Sequence, residues 1–365
     1  MRAARYTQGG GLTFETVSVP EPGEGELLLR TVATSLCGTD LKIVRHGHRR
    51  LRDGQTITLG HEFVGEVTAA GRGTEGFTQG MLVGVAPNLG CGVCPACRRG
   101  LMNMCPDYTA FGVTFDGSHT EYVRVPAAAL TQGCVLPIPS GVSPAAAALA
   151  EPLSCVVNGQ RIVRLEPGES VLIYGAGPMG LLHVLLARAS GAARIFVADI
   201  DDGRLAVARQ LGATDTCNST RETVPAWIKV RTGGRGLEVA ITAAPIAALQ
   251  NEALSVLAPY GRLSLFAGLP NKSAGVELDT NAIHYRALTV TGTTGGSPAD
   301  YRTALAMIAS GRVDVRAVIS HVYPLSQVDR AYATAHARVG RKIMMVRDDF
   351  VAAIAADGLT TVGPR

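Results

Sequence analysis

The chain has 365 residues and is poor in aromatics, with one Trp, eight Phe and nine Tyr, 5% in all. Charged residues make up only 18%, and the two signs nearly cancel, leaving +4. No basic block stands out. With so few rings and so little net charge, a nucleic-acid partner has little support. No apolar run reaches the roughly 20 residues of a membrane span. The opening Met1-Arg2-Ala3-Ala4-Arg5-Tyr6 lacks the apolar core of a secretory signal. These absences point to a cytoplasmic protein. In a reducing compartment the eight cysteines read as metal ligands or buried thiols, not disulfides. Apolar residues make up 47%, enough for real cores, and at about 150 residues per domain the length predicts two domains.

What the chain has in quantity is glycine, 43 residues, and three of these organise one stretch. Val171 to Tyr174 is an apolar run of strand length. Gly175-Ala176-Gly177-Pro178-Met179-Gly180 follows, then the breaker-free Leu181 to Ala189, then Ala193 to Ala198 and Asp199. Strand, glycine turn, helix, strand, acid is a dinucleotide-binding fingerprint. Gly175 permits the tight turn, Gly177 lets a pyrophosphate approach the backbone, and Gly180 lets the helix lie close to the sheet. The helix N-terminus offers free N–H groups to the phosphates. Asp199 is placed to accept hydrogen bonds from adenosine ribose hydroxyls, which favours NAD over NADP.

Before this stretch, residues 1–150 read as β-rich, with short strands at Leu27–Val32, Phe63–Ala70 and Met81–Val85 between glycines and prolines. That texture predicts an irregular barrel. From Ser143 an alanine-rich helix begins. After Asp199 the pattern predicts a helix over 202–211, a strand over 237–241, a helix over 247–257 and strands over 261–266 and 287–292. Alternation of this kind implies a parallel sheet covered on both faces. From Gly292 one more helix, 299–310, and short β pieces up to Val346 return to the first domain. The tail 347–365 has no assigned role.

Cys91, Cys94, Cys97 and Cys105 form C-x2-C-x2-C-x7-C. Four thiolates this close suit a closed tetrahedral zinc site; an iron–sulfur cluster is the rival. With no open position such a site holds a loop together and does no chemistry. A second constellation is scattered: Cys37 in Cys-Gly-Thr-Asp, His61 and Glu62 in Gly-His-Glu, and Glu151 in Glu-Pro-Leu-Ser. Together they offer a sulfur, an imidazole and one or two carboxylates, the donor set of a catalytic zinc.

Through these motifs, from Met1 to Val346, the chain resembles the zinc-containing medium-chain dehydrogenases, nearest the polyol (sorbitol) and threonine dehydrogenase branch. The resemblance implies an α/β fold: a GroES-like catalytic domain (1–150), a Rossmann domain with a doubly wound parallel sheet (151–291) and a return to the first domain (292–346). It implies two zinc ions per chain. Cys37, His61 and Glu151 would be the catalytic ligands, with Glu62 able to swing onto the metal or support it. Thr39 would take the substrate proton and Asp40 would orient His61. NAD would be bound by Gly175, Gly177, Pro178, Met179, Gly180, Asp199 and Arg204. The implied reaction is hydride transfer between NAD and a secondary alcohol: a polyol, sugar alcohol, amino alcohol or cyclitol. A homo-oligomer, tetramer or dimer, is also implied. Where many relatives carry a histidine that relays the proton, this chain has Lys42; His46, His48 or cofactor hydroxyls are the other exits. The alternatives are a zinc-poor quinone reductase or a non-enzymatic protein of the same fold.

Overall fold

The computed structural model describes residues 1–270, 275–356 and 359. The chain divides into two compact units, Met1–Ser154 with the segment from Gly296 onward, and Cys155–Gly295. The expected divisions were at 150/151 and 291/292. Among the described residues no helix is long and apolar enough to cross a membrane.

The first unit is built on a seven-stranded sheet whose centre is β1 (Leu27–Ser35). Eight of its nine residues, all apolar or Thr/Ser, are buried, and only Arg30 is exposed, as expected for a strand covered on both faces. After β1 comes helix α1 (Gly38–His46), and β2 (Glu62–Ala70) then pairs antiparallel with β1, setting Ser35 opposite Glu62. Far along the chain β3 (Lys342–Val346) adds to the other edge of β1, with Met344 opposite Ser35. This is the return of the chain, and it is stitched by parallel pairing of β3 with Ile319–Pro324. A core of Tyr6, Leu36, Ile43, Leu59, Val328, Tyr332 and Met345 lies beneath α1.

The helix Val328–His336 in this core was not foreseen. Asp329, Arg330, Thr334 and His336 mask its apolar face, Val328, Ala331 and Tyr332, which repeats at three and four residues. Of the tail, Asp348–Phe350 is a short 3-10 turn and Val351–Ala356 a helix, while 357, 358 and 360–365 lie outside the described residues.

The second unit is a six-stranded all-parallel sheet in the order 215–218, 194–199, 170–174, 237–242, 257–265, 289–292. Numbered along the chain that order is 3-2-1-4-5-6, the doubly wound Rossmann arrangement. The strand Asp215–Asn218 escapes sequence reading because Asp-Thr-Cys-Asn is polar and weak in β propensity; it forms by pairing with Phe196–Asp199. The helix Val224–Thr232 was also missed. Val224, Trp227 and Ile228 are its buried face, with Trp227 packed edge-on against Phe196 at 5.3 Å between centroids.

Candidate active site and metal centres

In the second unit the glycine turn leaves the strand Ser170–Tyr174 and enters the helix Pro178–Ala189. Gly175 has φ +101°, and a Cβ on Gly180 would lie 1.8 Å from the Gly175 carbonyl, so neither tolerates a side chain. A Cβ on Gly177 would meet nothing, which leaves its backbone open to a ligand. Asp199 ends the strand Arg194–Asp199. Its Oδ2 accepts from the Ala176 N–H at 2.7 Å, and its Oδ1 accepts from Ile200 at 2.8 Å and Asp201 at 3.0 Å. The carboxylate thus locks the glycine turn to the second strand. Pro178 and Met179 open the helix, and Arg204 is exposed on the following helix Asp202–Leu211.

In the first unit the four cysteines Cys91, Cys94, Cys97 and Cys105 bring their sulfurs within 4.8 Å of one another. Backbone N–H groups of Cys91, Cys94 and Cys97 point at neighbouring sulfurs at 3.3–3.4 Å. The N–H groups of Val93 and Cys94 hold the Cys91 thiol down to about 7, whereas burial pushes the Cys97 thiol up to about 12, so it is the convergence of the four sulfurs that points to a metal. Four convergent sulfurs fit zinc.

The scattered constellation converges in the same unit. Cys37 caps α1, and His61 immediately precedes β2; Cys37, His61 and Glu62 place ligand atoms within 4.8 Å of one another. Glu151, in the first turn of the helix Ala150–Ile162, is buried but outside that group. Its charge is nevertheless felt by Lys342 and by Tyr301. Thr39 is exposed in the first turn of α1.

Asp40 is fully buried behind this cluster. One oxygen accepts from the Cys37 N–H at 2.8 Å; the other accepts from the Gly60 N–H at 3.3 Å and faces His61 Nδ1 at 3.4 Å. Burial works against its charge, but the imidazoles of His61 and His119 and the Cys37 N–H outweigh burial and hold the carboxyl at about 2. Conversely, burial lowers His61, while the Asp40 and Cys37 charges prevail and carry it well above its ordinary value. With Nδ1 turned to Asp40, Nε2 is the nitrogen left for a metal. Gly60 before it has φ +97°, and a Cβ there would strike the His119 ring at 2.4 Å, so only glycine brings the chain into His61.

Three partners escaped sequence reading. Lys342 donates from Nζ to Glu62 Oε1 at 2.6 Å and to the Leu36 carbonyl at 3.2 Å. Ser35 Oγ hydrogen-bonds Glu62 Oε2. His119 shares a hydrogen bond with the Tyr332 hydroxyl at 2.8 Å and approaches the Ser35 carbonyl at 3.2 Å. Lys342 carried a signal: a lysine heading the otherwise apolar run Ile-Met-Met-Val is out of place unless its charge is answered. Ser35 and His119 carried none. A cysteine sulfur, an imidazole and the Glu62 carboxylate, backed by buried charge, fit a catalytic zinc, with Glu151 outside the convergent group.

Residues 178–310 match the family described as zinc-binding dehydrogenase, and residues 23–139 match the alcohol dehydrogenase GroES-like domain. The chain is 35% identical over 344 residues to an L-threonine 3-dehydrogenase of Pyrococcus abyssi, covering 92% of this chain and 96% of that protein. It is 33% identical over 347 residues to a sorbitol dehydrogenase of Bacillus subtilis, covering 91% and 92%. Among solved structures, an alcohol dehydrogenase from Thermus sp. ATN1 is 28% identical with a TM-score of 0.87, covering 95% of this chain and all of the other. With both domains matched and the likeness running through nearly the whole chain, this protein belongs to the zinc-binding, medium-chain alcohol dehydrogenase family.

Proposed function

We propose that this protein is a zinc- and NAD-dependent oxidoreductase that interconverts a secondary alcohol and its ketone. The alcohol would be a polyol, sugar alcohol, amino alcohol or cyclitol. The observation that carries the reading is the meeting of Cys37, His61 and Glu62, with Asp40 buried behind His61 and Thr39 exposed two residues after Cys37. Zinc held there supplies a Lewis acid that acidifies an alcohol, and NAD supplies the hydride acceptor.

Cys37 and His61 are the fixed ligands. Glu62 is engaged at both oxygens by Lys342 and Ser35, so it is a reserve donor, and Glu151 is the third ligand. Asp40 fixes the tautomer and orientation of His61. Thr39 Oγ accepts a hydrogen bond from the substrate hydroxyl and, as it takes that proton, passes its own on to water. Gly175, Gly177, Pro178, Met179, Gly180, Asp199 and Arg204 bind NAD, with Asp199 facing the ribose. Cys91, Cys94, Cys97 and Cys105 hold a structural zinc. None of the eight cysteines is in a disulfide and five serve as zinc ligands, a usage in keeping with a reducing, cytoplasmic setting. The protein acts as a homo-oligomer.

The test is a panel of polyols, amino alcohols and cyclitols offered with NAD to the zinc-loaded protein. The reading expects reduced nicotinamide from one class, abolished by removing zinc. Reduction of quinones with no need for zinc would replace it with the metal-free alternative.

A further inference from the structure

One basic block does stand out in the chain, at residues 42–52. Lys42, Arg45, Arg49, Arg50 and Arg52 fall within these eleven positions, with His46 and His48 between them and no acid. Without these five cations the formal charge of the chain would be −1 instead of +4. The segment starts inside α1, the helix that Cys37 caps and that carries Thr39.

Helical spacing aligns the segment with the site. Thr39, Lys42 and His46 stand at i, i+3 and i+7 and are all exposed, so they form one stripe, and Arg45 flanks Lys42. At about 1.5 Å per residue, Lys42 lies about 4.5 Å and Arg45 about 9 Å along the axis from Thr39. A substrate with its hydroxyl at Thr39 that extends along this stripe would bring its next few carbons to these two side chains. Beyond the helix Arg49 and Arg52 are exposed. Arg50 is fixed by donating to the Pro106 carbonyl at 2.7 Å and lying 4.2 Å over the Tyr108 ring.

Several surface cations elsewhere have a carboxylate partner. Arg2, Arg72, Arg221, Arg231 and Arg316 each have a carboxylate within 4.0 Å. Others, among them Arg98, Arg204 and Arg302, form no ion pair among the described residues, so it is the gathering of five within eleven positions that sets this segment apart. Among the described residues, none of Lys42, Arg45, Arg49, Arg50 and Arg52 forms an ion pair. The half-buried His48 registers the resulting field. Burial, then Arg49, Arg50 and Lys42, hold it below its ordinary value, and its Nδ1 is buried without a partner among the described residues. Like charges gathered without counter-charge repel one another, and a bound anion relieves that cost. One carboxylate needs a single arginine; this many cations match a phosphate monoester, with about −1.5 to −2 charge and three acceptor oxygens.

We infer that the alcohol taken by this site is a phosphate monoester, a phosphorylated sugar alcohol or similar polyol phosphate, and that Lys42, Arg45, Arg49 and Arg52 form its phosphate subsite. The inference rests on the dehydrogenase reading and narrows its substrate class. It also gives Lys42 a task in place of the proton relay that many relatives assign to a histidine there.

The test uses the zinc-loaded enzyme in two arms. The first titrates inorganic phosphate by calorimetry into the wild type, Lys42→Gln/Arg45→Gln and a remote control, Arg72→Gln. Phosphate should bind the wild type and the control and lose at least about tenfold in affinity in the double variant. The second compares NAD-linked oxidation of D-sorbitol and glycerol with that of their terminal phosphate esters. The phosphorylated member should be preferred in kcat/KM by at least about tenfold, the preference shrinking as salt rises, and inorganic phosphate should compete with the alcohol. Absence of phosphate binding, or binding unchanged in the double variant, overturns the inference whatever the turnover. Tight retention of a short DNA duplex without phosphate-ester preference would reassign the patch to nucleic acid and overturn it equally. If neutral alcohols are oxidised as well as their esters, the subsite falls and the dehydrogenase reading stands. If no alcohol is oxidised while phosphate binds as expected, the dehydrogenase reading fails alone.

Discussion

Lys342 and Glu62, 280 residues apart, form a buried ion pair 2.5 Å long beside the Cys37–His61 cluster, with side-chain exposures of 4% and 0%. Strand pairing explains how they meet. β1 is flanked by β2, which carries Glu62 opposite Ser35, and by β3, which starts at Lys342. Burial opposes the ammonium, but the Glu62 and Cys37 charges outweigh it and raise Lys342 above its ordinary value. The pair ties the return of the chain to the metal cluster.

Removing one partner of such a pair leaves an uncompensated buried charge. Lys342→Met should therefore cost the first unit about 3–5 kcal/mol, whereas Lys342→Arg keeps the charge and loses less. Chemical denaturation of both variants checks this. Equal stability of Lys342→Met and wild type would mean that Glu62 is neutral and the pair contributes nothing.

The cysteine loop is expected to depend on its ion. Cys105→Ser should bind one zinc fewer per chain and unfold at lower temperature, because binding energy at a closed site is folding energy. Zinc analysis with thermal denaturation reads both. A full zinc complement in the variant would remove Cys105 from the ligand set.

His183, wholly buried in the helix Pro178–Ala189 and edge-on to Phe266 at 4.5 Å, gives the second unit an acid sensitivity. Burial holds it at about 3, whereas the unfolded chain titrates it near 6.5. Between these values the unfolded state takes a proton that the folded state refuses. Stability from this residue is thus intact above about pH 6.5 and falls by up to about 1.4 kcal/mol per unit as the pH drops toward 3. His183→Asn should flatten that part of the urea-midpoint profile. An unchanged slope would show that His183 is charged in the fold.

Cofactor choice should follow from Asp199. The wild type should favour NAD, and Asp199→Asn, which keeps the shape and removes the charge, should narrow the preference by about tenfold, since a carboxylate repels the extra phosphate of NADP. Steady-state kinetics with both cofactors decide it. Equal efficiency in the wild type would leave Asp199 only its hydrogen bonds to Ala176, Ile200 and Asp201.

The sequence disclosed what depends on local spacing. The glycine turn, the four-cysteine loop and the alternating elements around them all lie within short windows, where periodicity and turn chemistry speak directly. What it hid depends on pairing between distant strands. Ser35, Lys342 and His119 have no motif, and only the register of β1 with its neighbours brings the first two to Glu62. The strand Asp215–Asn218 is held by its partner and not by its own propensity. The unpaired cations of residues 42–52 were in plain view, but a whole-chain charge of +4 averaged them away.

The central claim is that Cys37 and His61 hold the zinc on which alcohol oxidation depends. The most direct measurement is the zinc content of Cys37→Ser beside the wild type, with NAD-linked alcohol oxidation recorded on the same samples. The account predicts that the variant loses one zinc per chain and its alcohol oxidation, while still binding NAD through the untouched glycine turn. A variant that keeps its full zinc and its rate would contradict it.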